Sequence, residues 1–101
     1  MEFRQLQYFV AVAEEESFSR AAEKMNVSQP SLSKAIQSIE DEYGVTLVKR
    51  TTRSFKLTDA GELIFKQGEK LIDDYEQLKD KLSELSSDYM SEIRIGIPPV
   101  L

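Results

Sequence analysis

The sequence predicts a mainly α fold made of three short helices, a small β-hairpin and one long helix, in that order. Apolar residues recur at helical spacing as far as Gly44, and the pattern changes to that of short strands over residues 46–57. A long helix follows from residue 59, with a heptad pattern that begins at Ile64. The 101 residues are enough for one small domain and an appendage.

The first two helices are predicted over residues 3–16 and 20–25. The apolar stripe of the first consists of Phe3, Leu6, Val10 and Ala13, with Phe9 beside it. The acids that follow are expected to face solvent and are Glu14, Glu15 and Glu16. Ser17 or Ser19 caps the second helix, and Asn26 ends it because asparagine tolerates the left-handed conformation.

The third helix is predicted over residues 29–43. Ser28 is its N-cap, Pro30 lies in the first turn where a missing N–H costs nothing, and Gly44 ends the helix. The stripe expected to face the core consists of Leu32, Ile36, Ile39 and Tyr43. The second helix, the short turn and the third helix together make a helix-turn-helix.

Composition excludes several kinds of chemistry. The chain has no Cys and no His, which removes thiolate chemistry, disulfides, Cys/His zinc sites and Ser-His triads. An enzyme would need a pair of carboxylates in a pocket, whereas the acids fall on predicted solvent faces. No apolar run approaches the roughly 18 residues of a membrane span, and the first residues do not read as a signal peptide.

The net charge of −5 argues against a nucleic-acid partner, but the charge is unevenly distributed. Residues 1–57 carry eight basic and eight acidic side chains, and residues 58–101 carry five basic and ten acidic ones. The segment 45–57 contains no acid, and its basic residues are Lys49, Arg50, Arg53 and Lys56. This hairpin is either a solvated basic surface or a surface that contacts phosphates.

The outward positions of the third helix are polar and none is acidic: Gln29, Ser31, Ser33, Lys34 and Gln37. Such a face suits a helix that enters the DNA major groove, although an inert solvated surface remains the alternative. Gln29 suits adenine, and Lys34 suits guanine or phosphate. Ser31 and Ser33 reach a base edge or phosphate, or bond locally to the backbone. Pro30 is primarily a helix-start residue that could also contact a thymine methyl.

The hairpin forms a wing beside this helix-turn-helix. Arg53 near its tip suits a narrow A·T-rich minor groove, where the negative potential is enhanced. Lys49, Arg50 and Lys56 suit phosphates, and such contacts position a protein without specifying sequence.

A long linker helix is predicted over residues 59–88, with apolar residues spaced alternately by four and three. Before about Leu71 this stripe is expected partly to fold back on its own domain. Beyond that point a second copy of the chain is the simplest partner, through Leu71, Tyr75, Leu78, Leu82 and Leu85. Residues 92–97 alternate like a strand, and residues 89–101 are either a disordered tail or, as we expect, the first strand of a truncated domain.

Several motifs occur together in the first 61 residues: LQYFVAVAE at 6–14, SFSRAA at 17–22, VSQPSLSKAI at 27–36, YGVTL at 43–47 and LTDAG at 57–61. With them the chain resembles bacterial LysR-type transcriptional regulators over about residues 1–90. Two positions depart from the family's usual pattern: Val48 stands where Phe is frequent, and Lys34 where Arg is frequent.

The resemblance implies a winged helix-turn-helix DNA-binding domain over residues 1–58, followed by a linker helix that pairs in antiparallel fashion. The family's DNA contacts map onto Gln29, Pro30, Ser33, Lys34 and Arg53, and less strongly onto Ser31 and Arg50. We also expect a cytoplasmic protein without a membrane partner, which binds operator or promoter DNA as a homodimer or, at full length, either as a dimer or as a tetramer. No cofactor is expected in this fragment, because the family's small-molecule co-inducer binds a later two-lobed domain.

Overall fold

A computed structural model describes the backbone of residues 1–51 and 54–92, and the side chains of residues 1–49 and 54–86. Its elements, in order, are α1 (Phe3–Glu15), α2 (Phe18–Met25), α3 (Gln29–Tyr43), β1 (Val48–Thr51), β2 (Ser54–Leu57) and α4 (Asp59–Glu92). The two strands pair in antiparallel fashion. The mainly helical fold with its hairpin is therefore confirmed. The chain divides into two compact units, Met1–Lys70 and Leu71–Leu101.

The core of the first unit lies where α1, α2 and α3 pack against one another. Its largest fully buried side chains are Phe9, Val12, Leu32, Ile36, Ile39 and Leu47. Ile64 and Phe65, from the start of α4, pack against this core. The first turns of α4 therefore stabilise the same unit as the three short helices, as the expected fold-back of the stripe implies.

The helix ends follow local capping chemistry. Ser17 Oγ accepts from the Arg20 amide at 3.2 Å, so α2 begins at Phe18, two residues earlier than predicted. The ends of α2 and α3 at Asn26 and Gly44 have positive φ angles of 57° and 64°, as predicted.

The acidic end of α1 differs from its prediction. The helix ends at Glu15, and Glu16 takes the left-handed conformation with φ of 51°. Glu14 and Glu16 are exposed, as expected, and Glu15 is half-buried. The carboxylates of Glu14 and Glu15 also lie 3.1 and 3.7 Å from Lys24 Nζ on α2. The hydrogen bond to Glu14 raises the pKa of Lys24, and the charges of both acids add to this effect.

Two further predictions need correction. Tyr43 was expected on the buried stripe of α3, but it lies in the last helical turn and is 54% exposed. α4 continues to Glu92, past the predicted helix end at residue 88, so Glu92 does not begin a strand. The other residues of that predicted strand, 93–97, lie outside the described residues.

Candidate nucleic-acid interface

The polar face of α3 comprises Gln29, Pro30, Ser31, Ser33, Lys34 and Gln37. All six are solvent-exposed except Ser33, which is half-buried. On the opposite side of the helix, Leu32, Ile36 and Ile39 are fully buried against the core. Because one side of α3 is anchored in this way, the other side presents its polar groups on a rigid support.

Two hydrogen-bonded pairs organise the beginning of this face. Ser28 Oγ accepts from the Ser31 amide at 3.2 Å and donates to Ser31 Oγ at 2.8 Å. Since Ser31 Oγ is the acceptor in that second bond, its own hydroxyl proton is available to an acceptor outside the protein. Ser19 Oγ, on α2, donates to Gln29 Oε1 at 3.1 Å.

The far end of α3 is organised differently. Gln37 Nε2 donates to Asp41 Oδ1 at 2.9 Å, so its amide is already engaged by an acid of the same helix. Lys34 forms no ion pair with any side chain that the structure describes. The N-terminal half of the face therefore combines a free positive charge with hydrogen-bonding groups and carries no acid.

The hairpin brings two lysines together. Lys49 and Lys56 are directly opposite partners across the two strands, and both are exposed. Like charges placed opposite each other weaken a strand pair, and neither lysine forms an ion pair within the described part of the chain. A bound anion would remove this repulsion.

The other predicted wing residues are only partly placed. Arg50 lies in β1 opposite Phe55, and its side chain is outside the described set. Arg53 belongs to the two hairpin residues that the structure does not describe. The hairpin itself rests on the helices: Val48 is buried, and the Phe55 ring lies 6.4 Å from that of Phe18, centroid to centroid.

Backbone hydrogen bonds at Leu47 hold the hairpin in place. The Leu47 amide donates to Glu40 Oε2 of α3 at 2.7 Å, and the Leu47 carbonyl oxygen accepts from the Thr58 amide at 3.0 Å. The segment before β1 is thus tied to both α3 and the start of α4. The sequence does not predict this role of Glu40, because nothing local distinguishes it from the adjacent acids Asp41 and Glu42.

The second unit carries the apolar stripe of the linker helix. The residues predicted for dimerisation are between 44% and 65% exposed, and they are Leu71, Tyr75, Leu78, Leu82 and Leu85. Lys79 Nζ lies 5.5 Å from the centre of the Tyr75 ring. Large exposed apolar residues at heptad spacing are typical of a helix that binds another helix.

Metal binding and membrane insertion each require a recognisable arrangement of residues. Among the side chains of residues 1–49 and 54–86, no three acids are grouped so that they could hold a metal ion. No helix in the described part of the chain combines the length and the apolar character that crossing a bilayer requires.

Comparison with known proteins gives a consistent result. Residues 3–62 match the family model of the bacterial regulatory helix-turn-helix proteins of the lysR family. The chain is 43% identical over 96 residues to a probable cat1 operon transcriptional activator of Acinetobacter lwoffii, covering 95% of this chain and 32% of that protein. It is 41% identical over 96 residues to the regulator BenM of Acinetobacter baylyi, covering 95% of this chain and 31% of BenM.

Solved structures agree with these relatives. The BenM DNA-binding domain in complex with catB site 1 DNA superposes with a TM-score of 0.81 at 40% identity, over 86% of this chain and 98% of that one. The chain therefore spans about a third of the length of the curated relatives it matches, and nearly the whole of a DNA-binding domain solved on DNA.

Proposed function

The chain belongs to the lysR family of bacterial regulatory helix-turn-helix proteins, and we propose that it binds specific operator or promoter sequences as a homodimer. The observation that carries the proposal is the acid-free N-terminal half of the polar face of α3. It is exposed, and the opposite side of the helix is locked into the core by Leu32, Ile36 and Ile39. In this proposal α3 enters the major groove and the protein has no catalytic activity.

Within the groove, each exposed side chain of α3 has a distinct task. Gln29 contacts a base edge through its amide, and Lys34 donates to guanine or to a phosphate. Ser31 donates its free hydroxyl proton to a phosphate or base acceptor. Ser33 contacts a base edge or a phosphate, although its half-buried position gives it a shorter reach. Pro30 provides an apolar surface for a thymine methyl.

The wing anchors the domain on the DNA backbone. The opposed lysines Lys49 and Lys56 each contact a phosphate, and the anion relieves the repulsion between them. Arg50 adds a further phosphate contact, and Arg53 enters the minor groove beside the half-site. The bonds of Leu47 to Glu40 and Thr58 tie the base of the hairpin to α3 and to the start of α4.

The linker helix pairs two copies of the chain through Leu71, Tyr75, Leu78, Leu82 and Leu85. Their exposure and heptad spacing support this pairing. A two-fold dimer places two copies of α3 on half-sites about one helical turn, or ~34 Å, apart. At full length the protein is either such a dimer or a tetramer of two dimers.

The whole protein senses a small molecule through a domain that follows the linker helix. The length of the curated relatives, about three times that of this chain, supports a further domain. The co-inducer binds there, and residues 1–101 hold no cofactor. Since a bacterial regulator must reach the chromosome, the protein acts in the cytoplasm.

A selection of binding sites from random DNA at a stated salt concentration tests the proposal. We expect a sequence with two related half-sites, and an affinity that falls steeply with salt, with a log–log slope of about −0.9 per contacted phosphate. The rival function is a protein-interaction module in which the exposed leucines of α4 bind a partner and α3 is inert. The rival would be established if the selection recovers no preferred DNA sequence and the chain binds a partner protein with an affinity that does not change with salt.

A further inference from the structure

We propose that Ser19 of α2 is a positioning residue that sets which way the Gln29 amide faces the DNA, and thereby sets base preference. The inference rests on the proposed function and goes one step beyond it. Ser19 contacts no base in this proposal, because it acts only through Gln29.

The geometry that carries the proposal is one hydrogen bond between two helices. Ser19 Oγ donates to Gln29 Oε1 at 3.1 Å, and both side chains are exposed. An isolated exposed glutamine samples many rotamers and both orientations of its terminal amide. The bond removes much of this freedom before DNA arrives, because α2 and α3 are packed together through the core.

Fold stability does not account for the Ser19 hydroxyl. The N-cap of α2 is Ser17, whose Oγ accepts from the Arg20 amide. Ser19 lies one residue inside the helix and is exposed, where an alanine is equally compatible with helix formation. Its hydroxyl therefore serves the inter-helix bond rather than a cap.

The direction of the bond has a consequence for base recognition. With Oε1 accepting from Ser19, Nε2 is the group of the amide that takes no part in this bond. Gln29 then meets the base first as a donor, which suits N7 of a purine or O4 of thymine. Cytosine is disfavoured, because its major-groove edge presents only the N4 donor.

Without the Ser19 hydroxyl, the side-chain amide of Gln29 is expected to rotate freely, so that Oε1 can accept from a donor on the base edge. In the Ser19→Ala variant, discrimination against cytosine at the base contacted by Gln29 should fall by about 2- to 10-fold, the ratio that one net hydrogen bond supplies. Affinity for the preferred site should change less than discrimination does. Ser19→Thr keeps a hydroxyl and should restore the original preference.

The test measures binding of the 101-residue chain to the selected site and to its single-base variants at constant salt. The variants are Ser19→Ala, Ser19→Thr, Gln29→Ala and the double variant, with Ser83→Ala as a matched control in an exposed part of α4. In the Gln29→Ala background, Ser19→Ala should have no further effect on the preference, because the residue through which it acts is gone.

The outcomes separate this inference from the function on which it rests. An unchanged preference in Ser19→Ala, or an effect that persists without Gln29, would overturn the positioning role. A uniform reduction of affinity on all sites would instead identify Ser19 as a phosphate-binding residue. Absence of any base preference in the unmodified chain would overturn the proposed function itself.

Discussion

Gly61 in the first turn of α4 packs so closely against Leu47 that a β-carbon on Gly61 would overlap the Leu47 carbonyl oxygen. The same oxygen accepts from the Thr58 amide, and the Leu47 amide donates to Glu40. The obstacle is a backbone atom held from both sides, so it has little freedom to move aside. Gly61 is therefore needed for the junction between α3, the hairpin and α4.

Gly61→Ala is expected to destabilise the chain by about 1–3 kcal/mol, as overpacking does in rigid surroundings. Gly68→Ala is a matched comparison, because its β-carbon would stand 2.9 Å from Leu6 Cδ1 and Val10 Cγ2, which are ends of side chains. There the helix-propensity gain of about 1 kcal/mol offsets much of the cost. Urea unfolding at a single protein concentration measures the free energy of unfolding of both variants. Equal destabilisation by the two substitutions would contradict the larger cost expected at Gly61.

Gln29→Ala should lower affinity for the selected site by about 1–3 kcal/mol and relax preference at one base pair. Gln37→Ala is the matched control, since the Gln37 amide is held by Asp41 and should contribute little to recognition. Binding to the selected site and to a randomised pool measures the effect. Unchanged discrimination in Gln29→Ala would show that this side chain does not read a base.

Arg53→Ala is expected to weaken binding chiefly to half-sites with A·T-rich flanks, where the narrow minor groove attracts arginine most strongly. Titrations on two DNA duplexes that differ only in their flanks measure the difference. An equal reduction of affinity on G·C-rich flanks would indicate that Arg53 binds a phosphate instead.

Replacing Lys49 and Lys56 with glutamine should make the log–log salt slope less negative by about 0.9 for each phosphate that the protein no longer neutralises. Base preference should remain, because phosphate contacts carry no sequence information. Lys70→Gln, an exposed change outside the hairpin, is the control. An unchanged log–log salt slope in the double variant would show that these lysines do not contact DNA phosphates.

Leu78→Glu combined with Leu82→Glu should convert the dimer to monomers, because charges would then lie within the apolar stripe. Leu63→Glu is the control, since Leu63 is 62% exposed on α4 but lies outside the predicted stripe. Sedimentation equilibrium measures the mass of each variant. An intact dimer in the double variant would refute this interface.

Elements with strong local signals were predicted closely. The bounds of α3 match because Ser28 and Gly44 satisfy the backbone groups at its two ends within a few residues of sequence. The apolar periodicity of α3 wrongly assigned Tyr43 to the core. A repeating pattern does not say how far along the helix other elements pack against it. The start of α2 was missed by two residues because either of two serines was a reasonable cap.

The contacts that position the interface were not predictable in this way. Glu40 bonds to an amide seven residues away, and Ser19 bonds to a side chain ten residues away on another helix. Residue type does not single them out, because Glu40 begins a run of three acids and Ser19 is two residues from another serine. Only the tertiary fold brings each of them within bonding distance of its partner. One carboxylate of the run Glu40 to Glu42 thus holds the segment that leads into the hairpin.

By itself the sequence determined the order of the helices and the hairpin, both caps of α3, its acid-free polar face and the lysines of the hairpin, because periodicity and capping operate over a few residues. Only the tertiary structure decided that Ser19 restrains Gln29, that Leu47 is tied to Glu40 and Thr58, and that the first turns of α4 belong to the core. Those relationships depend on distances between elements, which close-packing of side chains sets and no local pattern encodes.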